Sequence, residues 1–333
     1  MRDTRNFSLK AYNTFGIDAR CSRFVEFCTE DEAVKVAEML RSSEKPCLII
    51  GGGSNLLLTR DFEGIVVRSA INTMQFDGCR VSCGSGVVWD QVVEACVQRG
   101  LYGAENLSLI PGDVGATAVQ NIGAYGAEVK ELIERVWAVR IATGELCSFS
   151  NGECGYGYRQ SRFKQDWRNQ YLIVRVDYKL NERFVPRLDY GNIRAELEKR
   201  GIDNPTAQQL RQVVIDIRKA KLPDPEVTGN AGSFFMNPVV SREKYEQLAA
   251  QNPDMPHYYI DEQSEKVPAG WLIEQCGWKG RRMGHAGVHD KQALVLVNCG
   301  GATGQEIVDL CRAIQQDVQQ RFGIAIQPEV NIV

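Results

Sequence analysis

This sequence lacks several features that mark common classes of protein. Its 333 residues include only three histidines and no C-x-x-C pair, so the ligands of a typical zinc site are missing. No apolar run approaches the ~18 residues of a helix that spans a bilayer, which argues against a membrane protein. The formal net charge of −3 argues against a basic surface for nucleic acid or anionic lipid. Neither kind of partner is expected.

The N-terminus also lacks an apolar segment of the kind found in secretory signals, so the expected location is the cytoplasm. The eleven cysteines are scattered and odd in number, as in a protein whose thiols stay reduced. Hydrophobic residues make up 44% of the chain and charged residues 24%, as in a globular protein with a sizeable core. The length predicts about two or three domains.

Glycine, by contrast, is concentrated in two stretches. The apolar strand Cys47–Ile50 runs into Gly-Gly-Gly-Ser-Asn (51–55), and Pro111–Gly126 contains four further glycines. Neither stretch matches the Rossmann or the Walker pattern. Glycines let successive backbone N–H groups approach a ligand, and such a concavity can hold a diphosphate without Lys or Arg. The alternative is that both stretches are ordinary turns.

The hydrophobic pattern changes repeatedly between helical and strand periodicity. It predicts helices at 29–41, 87–100, 206–220, 270–278 and 303–322, and another from about Ser241. Val34, Ala37 and Leu40 are expected to form the buried stripe of the first helix. Strands are predicted at 47–50, 64–68, 133–142, 171–180 and 293–298, with a strand pair in 77–86 and a last strand, 324–333, that carries Glu329.

This alternation indicates a mixed α/β or an α+β fold, and nothing in it demonstrates a parallel sheet. The stretch 221–232 has two prolines and two glycines and is the best candidate for a domain boundary.

Several motifs occur in the order known from one family. They are NTFGIDA (13–19), GGGSN (51–55), IPGxVG followed by QNIGAYG (110–126), GYRxSxFK (157–164), KLPDP followed by GNAGSFFxNP (221–238), AGWLIEQC (269–276) and PEV (328–330). On these motifs, which cover almost the whole chain, the sequence resembles the UDP-N-acetylenolpyruvoylglucosamine reductases. RLDYGN (187–192) further resembles the type I subfamily, which carries an additional Tyr-bearing loop over the substrate.

The resemblance implies an α+β fold with a two-lobed FAD-binding unit of the vanillyl-alcohol-oxidase (PCMH) type and a C-terminal α+β substrate domain. The lobes would span 1–67 and 68–222, and the C-terminal domain 223–333. FAD would be the cofactor and NADPH the hydride donor. The expected reaction converts UDP-N-acetylglucosamine enolpyruvate to UDP-N-acetylmuramate in peptidoglycan precursor synthesis, and so serves cell-wall biogenesis, cell shape and cell division. A cytoplasmic monomer that acts on this small molecule is expected.

The resemblance also implies the residues that contact ligands. Those expected to bind FAD are Gly51, Gly53, Ser54, Asn55, Leu56, Pro111, Gly112, Gly115, Thr117, Gln120, Asn121, Gly123, Ala124, Tyr125 and Tyr158. Those expected to bind the substrate or NADPH are Tyr190, Lys221, Asn237, Lys279 and Gln292. In one departure, Ala116-Thr117-Ala118 replaces the Ser-Ser-Pro that is frequent in type I members, which puts one side-chain contact to FAD in doubt.

Hydride addition to the enolpyruvyl alkene develops negative charge beside the substrate carboxylate, and the alpha carbon must then receive a proton. By resemblance, Arg159 holds the carboxylate, Ser233 delivers the proton, and Glu329 helps to polarise the carboxylate. An ionised Glu329 would repel the growing charge, so the mechanism requires that its pKa be raised. Considered singly, Ser233 reads as a turn residue and Glu329 as an exposed strand residue.

Two other functions stay open at this point. A flavin oxidase of the same fold would share the FAD loops but not GNAGSFF or PEV, and it would form peroxide on reoxidation. A nucleotide-sugar-binding protein without catalytic activity would purify without the colour of flavin.

Overall fold

The computed structural model describes all of residues 1–333. In chain order the helices are α1 (Glu30–Arg41), α2 (Trp89–Gln98), α3 (Val114–Gln120), α4 (Ile193–Lys199), α5 (Ala207–Lys221), α6 (Arg242–Gln251), α7 (Ala269–Gln275) and α8 (Gly304–Phe322). All eight fall short of the combined length and hydropathy of a membrane-spanning helix.

The first ten strands are β1 (Arg2–Ser8), β2 (Arg20–Phe27), β3 (Cys47–Ile50), β4 (Leu56–Leu57), β5 (Phe62–Ser69), β6 (Met74–Asp77), β7 (Arg80–Gly84), β8 (Gly123–Ala124), β9 (Ala127–Glu128) and β10 (Ile133–Arg140). The other ten are β11 (Leu146–Ser150), β12 (Tyr171–Lys179), β13 (Gly229–Ser233), β14 (Val239–Ser241), β15 (Tyr258–Asp261), β16 (Ser264–Lys266), β17 (Arg282–Met283), β18 (Ala286–Val288), β19 (Val295–Asn298) and β20 (Asn331–Ile332).

The chain divides into two compact units. Unit 1 consists of Met1–Phe7, Cys21–Gly53 and Phe62–Ala220. Unit 2 consists of Ser8–Arg20, Ser54–Asp61 and Lys221–Val333. The predicted lobes 1–67 and 68–222 and the predicted domain 223–333 were defined by ligand binding, whereas these units are defined by compactness. The predicted division is therefore not tested and stays a prediction.

Unit 1 contains two larger sheets. One has the order β1-β2-β5-β3, with β2 and β3 both parallel to the central β5. The other has the order β11-β10-β12-β7-β6 and is antiparallel throughout. Helix α1 lies in a hydrophobic core that takes residues from both sheets. The packing of these sheets gives unit 1 the scaffold for its loops.

The start of α1 agrees with its sequence signal. The Thr29 side chain accepts a hydrogen bond from the Glu32 backbone N–H at 3.1 Å, and Glu32 in turn accepts from the Cys28 N–H at 2.7 Å. The predicted stripe was partly wrong. Ala33, Val36, Ala37 and Leu40 are buried, whereas Val34 is 37% exposed.

Unit 2 contains a four-stranded sheet, β13-β19-β18-β17, a three-stranded sheet, β14-β16-β15, and the short parallel pair β20-β4. The prediction of one strand over 324–333 was wrong, because only Asn331–Ile332 is strand and Glu329 precedes it. Pro328 lacks a backbone N–H, so it cannot donate in a continuous strand ladder. The part of this segment before Asn331 is held instead by isolated backbone hydrogen bonds.

Helix α5 is joined to α2 by an ion pair. Arg211 donates to both carboxylate oxygens of Asp90, at 2.7 and 3.0 Å, and the two side chains are only 11% and 24% exposed. Asp90 Oδ1 also accepts from the Leu109 backbone N–H at 2.6 Å. Burial works against ionisation of Asp90, but its bonds to Arg211 and Leu109 bring its pKa below the ordinary value. The pair therefore favours the folded state wherever Asp90 is ionised.

We expect Arg211→Met to lower the free energy of unfolding by about 3 kcal/mol, because it leaves a largely buried carboxylate without its partner. Arg200→Met is the matched control, since Arg200 pairs with Glu196 and Asp216 at the surface and should contribute less than about 1 kcal/mol. Urea unfolding of both variants measures the difference.

The loss in Arg211→Met should also depend on pH. A carboxyl with a lowered pKa stabilises the fold above its ordinary pKa and loses this contribution as the pH falls through the folded-state pKa. The difference from wild type should therefore shrink below about pH 4. If the free energy of unfolding falls equally in the two variants at neutral pH, the Asp90–Arg211 pair contributes no more to stability than a surface ion pair.

Candidate active site

The stretch Pro111–Gly126 is not the irregular loop that its glycines predicted. It contains helix α3 and ends in the hairpin β8-β9. Gly115, within α3, is required by close packing, because a Cβ built there would lie 2.9 Å from the Ser85 Cβ. Gly112, before the helix, has a φ of +113°. The stretch thus consists of a glycine turn, a short helix and a hairpin.

The two Gly-rich stretches lie against each other. A Cβ built on Gly51 would lie 3.2 Å from the Ala116 Cβ, and one on Gly52 would lie 3.3 Å from the Gly112 Cα. Gly53 has a φ of +68°. The backbones of the two Gly-rich stretches therefore approach each other more closely than side chains would allow. A loop that holds a diphosphate by its backbone N–H groups, here called the glycine cradle, requires such an approach. Position 116, where this chain departs from the family pattern, faces the first Gly-rich stretch.

Asn121 fixes the turn that follows α3. It is fully buried in the left-handed conformation, with a φ of 47°. Its amide donates to the Gly157 carbonyl at 2.7 Å and to Glu128 at 3.1 Å, and it accepts from the Lys130 N–H at 3.1 Å. Its side chain therefore acts within the protein and joins the loop to the segment that carries Arg159.

Arg159 reaches the same loop. Its guanidinium donates to the Gly123 carbonyl at 2.7 Å and to the Asn121 carbonyl at 3.4 Å. Lys164 donates to the Arg159 carbonyl at 3.2 Å and to Gln120 Oε1 at 2.9 Å. The structure thus brings Arg159 beside the predicted FAD loop, which sequence order alone could not show.

Some predicted cofactor residues have side chains that are used internally. The Thr117 hydroxyl is buried, donates to the Val114 carbonyl at 2.7 Å and lies 2.8 Å from the Tyr178 hydroxyl. Leu56 is buried within β4. Tyr158 is 37% exposed and its ring lies 5.7 Å from the Arg159 guanidinium. The geometry assigns ligand contacts to none of these three, whose roles stay predictions.

A second arginine lies near Arg159 that the sequence motifs did not single out. Arg218 is within electrostatic reach of Tyr125, Asp90 and Arg159. Burial lowers its pKa, and burial likewise raises the pKa of Tyr125. Arg218 follows Arg211 by seven residues, so both lie on one face of α5. This seven-residue spacing is the sequence feature from which Arg218 could have been placed on the same face as Arg211.

Tyr190 lies beside Tyr125 in unit 1. Their ring centroids are 6.5 Å apart and the rings are nearly perpendicular, at 86°. Tyr125, like Asn121, is a non-glycine residue with positive φ, at 48°. The two predicted ligand-binding tyrosines therefore form one aromatic pair.

In unit 2, the structure brings Ser233, Glu329 and Asn55 together. Ser233 is exposed at the end of β13 and follows Gly232, whose φ is +66°. The next residue, Phe234, accepts at its carbonyl from the Glu329 backbone N–H at 2.8 Å. The Asn55 amide donates to the Glu329 carbonyl at 3.3 Å. The end of the first Gly-rich stretch and two predicted catalytic residues thus share one backbone network.

The remaining predicted substrate residues also lie in unit 2. Asn237 accepts from the Ala269 N–H at 3.0 Å, at the start of α7. Lys279 pairs with Glu274 at 2.9 Å, and Gln292 accepts from the Leu294 N–H at 3.3 Å. Lys221 is half-buried at the end of α5. Their contacts with a ligand stay predictions.

Known proteins match this chain along its whole length. Residues 224–333 match the family model described as the C-terminal domain of UDP-N-acetylenolpyruvoylglucosamine reductase, and residues 22–150 match an FAD binding domain. The reductase of that name from Bacteroides fragilis strain YCH46 is 51% identical over 99% of each chain. The one from Pseudomonas aeruginosa PAO1 is 46% identical over 98% of this chain and 97% of its own.

A solved structure also matches. The UDP-N-acetylenolpyruvylglucosamine reductase from Thermus caldophilus aligns over 100% of this chain and 99% of its own, with 25% identity and a TM-score of 0.71. These matches confirm the expected fold class, an FAD-binding unit of α+β type with a C-terminal domain of this family.

The glycine cradle can be tested with two left-handed glycines. Gly53→Val should yield protein with little or no bound FAD, because valine disfavours the φ of +68° on which the direction of the loop N–H groups depends. Gly78→Val is the control, since Gly78 has a φ of +55° in the β6–β7 turn, away from both Gly-rich stretches. The flavin-to-protein absorbance ratio after gel filtration is the measurement. Equal flavin in both variants would refute the cradle.

Proposed function

The chain belongs to the UDP-N-acetylenolpyruvoylglucosamine reductase family, and from this premise we propose which of its residues carry out each part of the reaction. It is an FAD-dependent oxidoreductase that reduces the enolpyruvyl ether of UDP-N-acetylglucosamine enolpyruvate in peptidoglycan precursor synthesis. The single observation that carries the assignment of roles is the position of Arg159, whose guanidinium is bound to carbonyls of the Gly-rich loop.

The two Gly-rich stretches would hold FAD, which would supply the hydride-transfer chemistry that reduction of the substrate alkene requires. The residues present fit this cofactor, because Gly51 and Gly52 let the two Gly-rich stretches approach each other more closely than a Cβ would allow, which brings their backbone N–H groups together. We propose the N–H groups of the two Gly-rich stretches as the donors to its diphosphate.

Arg159 would hold the substrate carboxylate. Its planar donors match a carboxylate, and negative charge grows on that group when hydride adds to the adjacent alkene. The bonds to the Gly123 and Asn121 carbonyls hold the guanidinium in place before substrate arrives. Arg218, half-buried nearby, adds positive charge to the same region. Interactions prepared in this way act on the transition state without reorganisation.

Ser233 would donate the proton to the alpha carbon. Hydride adds to one carbon of the alkene and the Ser233 hydroxyl proton to the other, so the two-electron reduction is balanced. Because Ser233 is exposed within its unit, water can restore its proton afterwards. Glu329, joined to the Ser233–Phe234 backbone, would help to polarise the substrate carboxylate.

The UDP portion of the substrate requires donors for a diphosphate. We propose that Tyr190, Lys221, Asn237, Lys279 and Gln292 contact the substrate or NADPH, and that the two lysines suit the diphosphate. Lys279 is paired with Glu274 in the structure, so its assignment requires that this surface pair open when the ligand binds. NADPH as the hydride donor, cytoplasmic location, a monomeric state, and a contribution to cell shape and division complete the proposal.

The role of Arg159 separates the two half-reactions. Arg159→Met should still allow NADPH to reduce the flavin, because no substrate carboxylate takes part in that step. Reoxidation by UDP-N-acetylglucosamine enolpyruvate should slow by about 10²–10³, since a donor aimed at developing charge is lost. Rapid-mixing absorbance of the flavin follows both steps. A normal rate of reoxidation would remove Arg159 from the catalytic set.

The same measurement tests Ser233. Ser233→Ala should leave flavin reduction nearly intact and slow reoxidation by about 10²–10⁴, the usual contribution of a positioned acid. Ser233→Cys should recover part of the rate, because a thiol can donate a proton from nearly the same place. If Ser233→Ala slows both steps equally, Ser233 holds structure or cofactor. If it slows neither, the proton has another source.

A further inference from the structure

One buried side chain joins two segments that carry ligand-binding residues. Asn106, in the Glu105–Leu107 turn, is 3% exposed. Its amide group donates to the Tyr125 carbonyl at 2.8 Å and to the Arg187 carbonyl at 3.0 Å. Tyr125 ends the Gly-rich loop, and Arg187 begins the segment Arg187–Asn192, here named the Tyr190 segment. A single NH₂ group therefore bridges the loop and the segment.

The chemistry of these contacts fixes the orientation of the amide. Both acceptors are backbone carbonyls, so the nitrogen, with its two hydrogens, must face them, because the oxygen would be repelled. Both hydrogens of the nitrogen are thus used. Aspartate has nearly the same shape but no hydrogen to offer in its ionised form, so the two functions of Asn106, filling space and donating, can be separated by substitution.

Other contacts also attach the Tyr190 segment, among them Leu188, which packs against the hydrophobic core formed by α4 and α5. The segment has no regular secondary structure, and most of its residues are exposed. Arg187 pairs with Glu131 at 2.6 Å at the surface, and Tyr190 contacts Tyr125 edge-to-face. Surface ion pairs contribute little, and one aromatic pair contributes modestly. The bridge from Asn106 is made by a buried side chain, and its other acceptor is the carbonyl of Tyr125, whose ring contacts Tyr190.

We propose that Asn106 is a positioning residue that holds the Tyr190 segment on the Gly-rich loop and so keeps Tyr190 beside Tyr125, ready for the UDP-sugar. This inference rests on the proposed function of Tyr190 as a substrate contact. Asn106 itself touches neither the substrate nor the flavin. Its effect is preorganisation, because a segment that is already ordered loses less entropy when the ligand binds.

Asn106→Asp should raise the KM for UDP-N-acetylglucosamine enolpyruvate about tenfold, as expected from the loss of buried hydrogen bonds, while kcat changes less than about twofold. The rate of the NADPH half-reaction and the flavin content should change much less than KM, although Asn106 also bonds the Tyr125 carbonyl in the Gly-rich loop. Amide hydrogen exchange in residues 187–192 should accelerate. The control is Asn151→Asp, because Asn151 likewise donates to two carbonyls, those of Lys130 and Ile133, at 2.6 and 2.9 Å, but away from the Tyr190 segment.

The effect must also depend on Tyr190. In a Tyr190→Ala background, Asn106→Asp should produce no further rise in KM. If Asn106→Asp does not fold, Asn106→Ala offers a second test, since it removes the same two hydrogen bonds without placing a charge in the interior and should raise KM in the same direction. An unchanged KM in whichever of the two variants folds would overturn the proposal. So would a KM change in Asn151→Asp equal to that in Asn106→Asp, or a full effect of Asn106→Asp without Tyr190.

Failure of the proposed function would appear differently. In that case wild-type protein would not turn over this substrate, and the substrate would not reoxidise the reduced flavin. Failure of the inference about Asn106 leaves wild-type turnover intact and appears only in the comparison of variants.

Discussion

Side chains from other segments hydrogen-bond the backbone of the Gly-rich stretch, and the rest of the site depends on these bonds. Leu109, just before this stretch, and Asn121 and Tyr125 within it have positive φ without being glycine, at 57°, 47° and 48°. Each such conformation costs about 1–2 kcal/mol. Donors or acceptors from outside meet the backbone at each of them: Asp90 at Leu109, Arg159 at Asn121 and Asn106 at Tyr125. The strained turns are therefore stabilised by side chains of other segments, one of which, Arg159, is also the proposed electrostatic group of the site.

Helix α5 contributes positive charge near the Gly-rich stretch. Helix α5 presents Arg211 and Arg218 on one face, but Asp90 forms a bidentate pair with Arg211. The charge of Arg218 lies near Arg159, and two half-buried cations in proximity repel each other until an anion arrives. A substrate with a carboxylate and a diphosphate provides such an anion.

Much of the fold could be predicted from the sequence, and the failures have local causes. The helices with caps and a clear apolar stripe, such as α1, α5 and α8, occur where they were predicted because local signals and burial agree. Helix α3 was missed, since its glycines and short length hide its periodicity, and the edge strand β11 was missed as well. Val34 was wrongly predicted to be buried, because a helix that packs against two sheets buries a different set of side chains than the single apolar stripe used for the prediction. Motifs found Arg159, Ser233 and Glu329, but only the fold shows that Asn106 and Arg218 meet the same loop.

The two proposed chemical roles require opposite environments, and each residue lies in the one that its role needs. A cation that stabilises growing negative charge acts most strongly away from water, and the Arg159 guanidinium is part-buried against loop carbonyls. A proton donor must be restored after every turnover, and Ser233 is exposed within its own unit, after a glycine whose left-handed backbone turns the chain there. If the roles were exchanged, a buried hydroxyl would lack a source of protons and an exposed guanidinium would be screened by solvent. The distribution of burial therefore supports Arg159 as the electrostatic group and Ser233 as the acid, independently of the motifs in which they occur.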